Sequence, residues 1–262
     1  MAARGRVVGE ASLRSSMTVG QLNLREGRSR TVKASERVAQ DIVRDIVARG
    51  LGTGDRLPLE AAMVEEYGVS RTSLREALRL LEMQGLISLK PGPGGGPVVG
   101  TVEPAHLART AALYFHLGSA TYEDLMRTQV LMESSCARLA AMNPLREAHM
   151  APWITQELPV ATGAYREQTS GFHGAVYQAA DNPALTLLTQ AVTHIVTQHV
   201  LLTMDPVELR GQIVDEHESL ARTIASGDSY AAERAMAEHF EHQHEHLRRR
   251  SPGRVEEHVQ WR

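Results

Sequence analysis

Six consecutive residues carry the densest chemistry in the chain. Ser70-Arg71-Thr72-Ser73-Leu74-Arg75 place two guanidinium groups one turn apart among three hydroxyls, at a position where a helix is expected to begin. A helix start presents free backbone N–H groups and the positive end of its dipole, so it favours an anion. Arginine binds phosphate or the guanine edge through two parallel hydrogen bonds. The hydroxyls of Thr72 and Ser73 suit phosphates or base edges. The same residues also describe a capped surface helix with solvated arginines, because two helices joined by a turn are common in helical proteins. Histidine is the second candidate group, and all twelve histidines lie after residue 100. Glu241-His242-Gln243-His244-Glu245-His246 resembles a metal-binding tract by composition. On a charged helix end it reads as a solvated face, so His242, His244 and His246 stay outside the candidate site. His194 and His199 lie on a helical stretch where one of them can line a pocket. Cys136 is the one cysteine, which excludes an intrachain disulfide and a cysteine-based zinc finger. Its small neighbours make it a buried hydrophobe rather than a nucleophile.

The elements that must position these groups follow from punctuation and period. Ser35 is expected to cap a first helix carrying Val38, Ile42 and Ile46 at four-residue spacing. A short helix follows Pro58 over residues 59–67, Gly68-Val69 makes the turn, and Ser70 caps a third helix over 71–84 with Leu74, Ala77, Leu78 and Leu81 on one face. Gly85 stops it. Residues 86–90 alternate as a strand, and 90–100, with three prolines and five glycines, form a linker or the tip of a hairpin whose second strand is 97–102. Three helices followed by a small hairpin wing is the order of a winged helix-turn-helix.

After Pro104 the pattern is helical. Thr121 opens a helix that runs to about Met142, residues 144–160 are irregular or hold one short helix, and further helices are expected over 161–180, 184–203, 206–226 and 229–249. The fold class is therefore mostly α: a winged helix-turn-helix over 31–103 and an all-α barrel or bundle over 104–250. A disordered basic arm (1–30) and a flexible tail (251–262) are expected to flank them.

Residues 1–100 carry fifteen Lys and Arg against eleven Asp and Glu, and residues 101–262 thirteen against twenty, so the net charge of −3 divides into +4 and −7. Only the first part is suited to a polyanion. No apolar run is long enough to span a bilayer, the N-terminus lacks the apolar block of a secretory signal, and a cytoplasmic location is expected.

Three stretches in unbroken order resemble the GntR family of bacterial regulators: Gly54-Asp55-Arg56-Leu57-Pro58-Leu59-Glu60, the run from Gly68-Val69-Ser70-Arg71 to Ala77-Leu78, and Leu81-Glu82-Met83-Gln84-Gly85-Leu86-Ile87. The resemblance implies that Ser70, Arg71, Thr72, Ser73 and Arg75 contact DNA and that Gly92 at the wing tip approaches the minor groove or its phosphates. Ala61 departs from the pattern, which usually has a DNA-touching Arg there. The C-terminal part is similar to the FadR-type ligand domain, called FCD, through Arg127, Glu133 and Leu139-Ala140-Ala141; Phe172-His173-Gly174-Ala175-Val176 with Asn182-Pro183; and His217, Ala225-Ser226-Gly227-Asp228, Ala232 and His239.

That likeness implies that His173, His217 and His239 converge, bind a divalent metal (Zn, Ni or Mn) and with it a small organic acid, for which Arg127 is a second anchor. A carboxylate one turn before the first histidine usually completes the set, and here the position is Thr169. The site is then either a three-histidine metal centre or a metal-free pocket whose histidines bond the effector directly. The function implied is an effector-responsive regulator, more of a repressor than an activator, binding an inverted-repeat operator as a homodimer. The alternative is a metal-dependent, hydrolase-like enzyme using the three histidines, for which Glu216 and Glu218 are expected to point away on their helix and leave no general base.

Overall fold

A computed structural model of the chain describes residues 34–92, 95–154, 162–201 and 209–261. The expected basic arm (1–30) lies outside the described residues.

The first unit is built from α1 (Ala34–Ala48), α2 (Glu60–Tyr67) and α3 (Arg71–Met83), then β1 (Ile87–Lys90) and β2 (Gly96–Val99). The strands pair antiparallel with Ile87 opposite Val99 and Lys90 opposite Gly96, so Lys90 and Gly96–Val99 belong to a hairpin and not to a linker. The outer edge of β2 is covered in turn: Gly54 N–H and Leu57 N–H donate to the carbonyls of Val99 and Pro97. The apolar period of each helix explains the packing. Val38 and Ile42 of α1, Met63 of α2, and Leu74, Ala77, Leu78 and Leu81 of α3 close one core with Ile87 and Val99. Gly68 joins α2 to α3 in the left-handed region (φ 61) that glycine adopts without strain. Ser35 is not a cap but a buried residue inside α1, whose first described residue is Ala34.

Among the described residues, the second unit is helical up to Arg250. α4 (Pro104–Leu117) leads into α5 (Tyr122–Met142), followed by α6 (Arg146–Met150), a 3-10 turn (Ala151–Trp153), α7 (Thr162–Ala180), α8 (Pro183–His199), α9 (Arg210–Ser226) and α10 (Ser229–Arg250). The start of α5 is fixed by a reciprocal cap: Thr121 accepts from Asp124 N–H while the Asp124 carboxylate accepts from Thr121 N–H. Helix α5 is central and touches α7, α8, α9 and α10. Its small buried residues Cys136, Ala137, Ala140 and Ala141 admit Phe172, Val176, Leu220, Ile224, Met236 and Phe240 from three neighbours. Burial pushes the Cys136 thiol up to about 11, so it behaves as the expected small hydrophobe.

Residues 251–261 correct the expectation of a flexible tail. A last helix, α11 (Pro252–Val255), and the strand-like segment after it lie along the α4–α5 corner. Tyr122 N–H donates to Glu257 O at 3.1 Å, and Val259 N–H donates to Ala120 O at 2.8 Å. Val255 and Val259 are 4% and 0% exposed. The tail is ordered because it satisfies a backbone donor at the free end of α5 and buries two valines in the same act.

Candidate functional site

The α3 start forms as its residues dictate. Ser70 Oγ accepts Ser73 N–H at 3.1 Å and lies 3.0 Å from Ser73 Oγ. The Leu74/Ala77/Leu78/Leu81 stripe is fully engaged in the core, which turns Arg71, Thr72 and Arg75 into solvent with Ser73 half-buried beside them. Arg75 Nε meets Glu60 Oε2 at 2.9 Å, a surface pair with side chains 64% and 41% exposed. Such a pair contributes little and exchanges readily for a phosphate. Sequence reasoning did not foresee this partner, fifteen residues away on α2. Gly92 is exposed at the hairpin tip with φ 94, a conformation suited to glycine, and Ala61 is exposed on α2.

Three histidines from three helices meet in the second unit. His173 of α7, His217 of α9 and His239 of α10 have ring centres 5.0 Å (173–217), 5.7 Å (173–239) and 4.8 Å (217–239) apart. One nitrogen from each lies within 4.8 Å of the others, and His217 Nε2 is 3.2 Å from His239 Nε2. Phe172 stacks on the His217 ring at 4.2 Å and fixes its plane. Burial pushes His217 well below its ordinary value and lowers His239. His217 and His239 are therefore held in the neutral form, with imidazole lone pairs to offer.

Two carboxylates stand behind the rings. Glu216 Oε2 accepts from His239 Nδ1 at 2.7 Å, and Glu216 Oε1 lies 3.2 Å from His242 Nδ1. Burial alone would raise the Glu216 carboxyl, but hydrogen bonds from His239 and Gln212 outweigh it and hold the group below its ordinary value. Glu216 thus does not point away, as its position beside His217 suggested; it crosses to the neighbouring helix. Glu133 is fully buried. Its Oε1 accepts from Tyr177 Oη at 2.5 Å and Thr193 Oγ1 at 3.0 Å. Its Oε2 makes no hydrogen bond and lies 3.6 Å from His173 Nδ1. Thr169, one turn before His173, turns a buried hydroxyl inward without a partner, and Glu167 is exposed on another face.

Arg127 is not brought to this cluster. Its side chain is 71% exposed and paired with Glu123 at 2.9 Å, on an outer groove shared with Leu131, Glu241 and Arg248. Residues 127 and 133 lie on different faces of a helix, whereas 129 and 133, four apart, share one. Gln129 is accordingly the residue that faces inward, 1% exposed. It donates to Thr193 Oγ1 at 3.0 Å and accepts from His244 Nε2 at 3.1 Å. His244 was expected in solvent, yet it is 2% exposed, and burial pushes it down to about 4. His242 is exposed as expected, His246 and His194 are half-buried, and His199 bonds the Tyr122 hydroxyl at 3.0 Å.

A capped, outward-facing helix start with a hairpin wing, joined to a helical unit with an internal histidine cluster, defines a two-part regulator. Residues 34–95 match the model of the bacterial regulatory proteins of the gntR family, and residues 124–242 match the FCD domain. The chain belongs to the GntR family, in its FCD-bearing branch, and is a transcription regulator of that type. It is 26% identical over 233 residues to the Uxu operon regulator of Haemophilus influenzae, covering 84% of each chain. It is also 26% identical over 220 residues to the Glc operon transcriptional activator of Escherichia coli, covering 78% of this chain and 85% of that one. Among solved structures, a Streptococcus agalactiae GntR protein shares the fold with a TM-score of 0.55 at 18% identity, over 80% of this chain and 99% of that chain. Among the described residues, no helix is long and apolar enough to cross a membrane.

Proposed function

We propose that this regulator is a cytoplasmic homodimer that places two α3 starts into successive major grooves of an inverted-repeat operator, with Ser70, Arg71, Thr72, Ser73 and Arg75 on phosphates and base edges and Gly92 against the adjoining backbone. The single observation that carries the reading is the exposure of Arg71, Thr72 and Arg75 from a helix whose opposite face is fully committed to the core. The excess of positive charge over residues 1–100 supports it.

The second unit is read as the sensor. The donor set fits a divalent metal: three imidazoles converge, and a buried carboxylate oxygen beside His173 lacks a partner. His173, His217 and His239 would hold Zn, Ni or Mn, and the bound ion would supply an electrophile for the carboxylate of a small organic acid. Arg127 has no part in that contact. Phe172 and Phe240 wall the cluster, Glu216 is hydrogen-bonded through both oxygens, and the one free oxygen of Glu133 is buried beside His173. This argues against a general base and so against the hydrolase alternative. Effector control requires unequal effector affinity in the two dimer states, and an acid that releases the operator must bind the DNA-free state more tightly.

The test is a gel-shift titration on fragments of the genome carrying the chain's own promoter region. Wild-type protein should bind one fragment specifically, with affinity falling steeply as salt rises. Arg71→Glu with Arg75→Glu should reduce binding at least about a hundredfold, as expected for losing two arginine contacts and adding like-charge repulsion. Binding of the doubly substituted protein equal to wild type overturns the recognition helix. An organic acid that tightens rather than releases the complex overturns release of the operator by the effector and leaves DNA binding standing.

A further inference from the structure

We infer that Glu133 and Glu216 are positioning residues for the histidine cluster: each takes the Nδ1 side of one imidazole, leaving that ring's Nε2 lone pair for a divalent cation, and together they supply the negative charge that Thr169 cannot. This inference rests on the metal reading above and assigns its charge balance.

The His239 half is explicit in the hydrogen bonds. Nδ1 lies 2.7 Å from Glu216 Oε2, so the proton of the neutral ring sits on Nδ1 and Nε2 is the acceptor. Gln243 Nε2, which can only donate here, approaches His239 Nε2 at 2.8 Å and agrees with that tautomer; it holds the lone pair that a cation would take and must withdraw when one binds. Glu216 is itself steadied by Gln212 at 2.8 Å. The proton is thus placed from outside the cluster, and the inward nitrogen is the one 3.2 Å from His217 Nε2.

The His173 half has the same arrangement with one bond open. Glu133 is gripped on Oε1 alone, by Tyr177 from α7 and Thr193 from α8, and Thr193 is braced by Gln129. Three helices therefore aim Oε2 at His173 Nδ1, and these two buried atoms, 3.6 Å apart, are both unbonded. A buried carboxylate with a free oxygen is strongly disfavoured unless positive charge lies close by. The hydrogen-bond partners of Glu133 are neutral hydroxyls. A divalent ion among the three imidazoles balances two carboxylates one bond beyond them. A small shift of the His173 ring then closes the second Nδ1–H···carboxylate bond. Carboxylates that hold a ligating imidazole in this way raise its basicity and fix its orientation.

Zinc affinity by competition with a chromophoric chelator, and the visible absorption spectrum of the cobalt(II)-substituted full-length protein, test the assignment. Glu216→Gln and Glu133→Gln keep shape and remove charge. Each should weaken zinc binding about 10- to 100-fold and shift the cobalt bands, while the thermal midpoint of the metal-free protein moves little for the half-exposed Glu216. If Glu133→Gln does not fold, Glu216→Gln decides alone. Wild-type affinity and an unshifted cobalt spectrum in Glu216→Gln overturn the inference and leave the metal reading standing. Failure of the wild-type chain to bind zinc, cobalt, nickel or manganese removes the metal reading and the inference with it. His217→Ala, which removes a ligand and neither carboxylate, should abolish binding and serves as the reference for complete loss.

Discussion

Residues 70–75 turn their polar groups outward from one short stretch of α3, whereas His173, His217 and His239 are drawn from three helices spread over 67 residues of chain and face one another inside the fold. The first site needs only a local frame: one cap, one apolar stripe and a turn. The second exists only when α5, α7, α9 and α10 are all packed. Function and stability should therefore separate cleanly in the first unit and be coupled through the core in the second.

The largest expected effect breaks the second site through packing alone. Phe172 is fully buried and stacks on His217 with the ring planes 20° apart. Phe172→Ala should cost about 3–5 kcal/mol of stability through lost burial and a cavity, and should abolish metal and effector binding although no ligand atom is removed. Calorimetry with zinc titration reads both quantities. In the first unit, the Arg71/Arg75 pair should show the reverse, with DNA binding gone and the melting transition unmoved. A Phe172→Ala protein that binds zinc like wild type would show that the cluster does not depend on packing.

A smaller effect sets the pH range in which the second unit holds. His244 has a folded value of about 4, lowered by burial, against about 6.5 in an unfolded chain. The unfolded state takes the proton first as pH falls. The stability owed to the neutral buried ring is thus fully present above about pH 6.5 and is lost between there and pH 4, amounting to about 3 kcal/mol. His217 and His239 are lowered too and act in the same direction, so the measurement is a difference. The stability of His244→Gln, which can still donate to Gln129, should decline less steeply than wild type across that range. Parallel curves would mean that His244 is solvated in solution.

The same contrast explains what was legible in the sequence. The α3 cap, its apolar stripe, the Gly68 turn and the hairpin were readable because each is fixed by residues within about one turn or one hairpin of each other. The helices of the second unit were readable from their Pro, Asn and Gly breaks. The histidine cluster was accessible only through family likeness, since intervals of 44 and 22 residues carry no period. Arg127 was misplaced although a signal existed: Met126, Gln129, Glu133, Ala137 and Ala140 repeat at helical spacing and are all buried, and Arg127 is off that stripe. His244 was equally readable, because it continues the buried series Met236, Phe240, His244, Leu247 of α10. Two features left no trace: the reach of Glu216 to a neighbouring helix, and the docking of the tail on the α4–α5 corner. Both depend on contacts between elements whose relative placement no local pattern encodes.

The smallest effect is the most discriminating, because Ser70 and Thr121 do the same mechanical work in the two units. Each caps a helix by accepting the N–H of the residue three positions on, and either change to Ala should cost about 1 kcal/mol. Aspartate caps as well as serine, so Ser70→Asp should leave the melting transition near wild type. Yet it places a negative charge where a DNA phosphate is expected to sit, and operator affinity should fall at least about tenfold, as expected for turning one phosphate contact into a repulsion. Thr121→Ala, in contrast, should lower the melting temperature and leave the salt-dependent affinity of the folded protein unchanged. Fluorescence anisotropy on an operator fragment distinguishes the two. If Ser70→Asp binds DNA like wild type while Thr121→Ala does not, the face that meets DNA is not the start of α3, and control of DNA binding originates at the corner where α4, α5 and the tail converge.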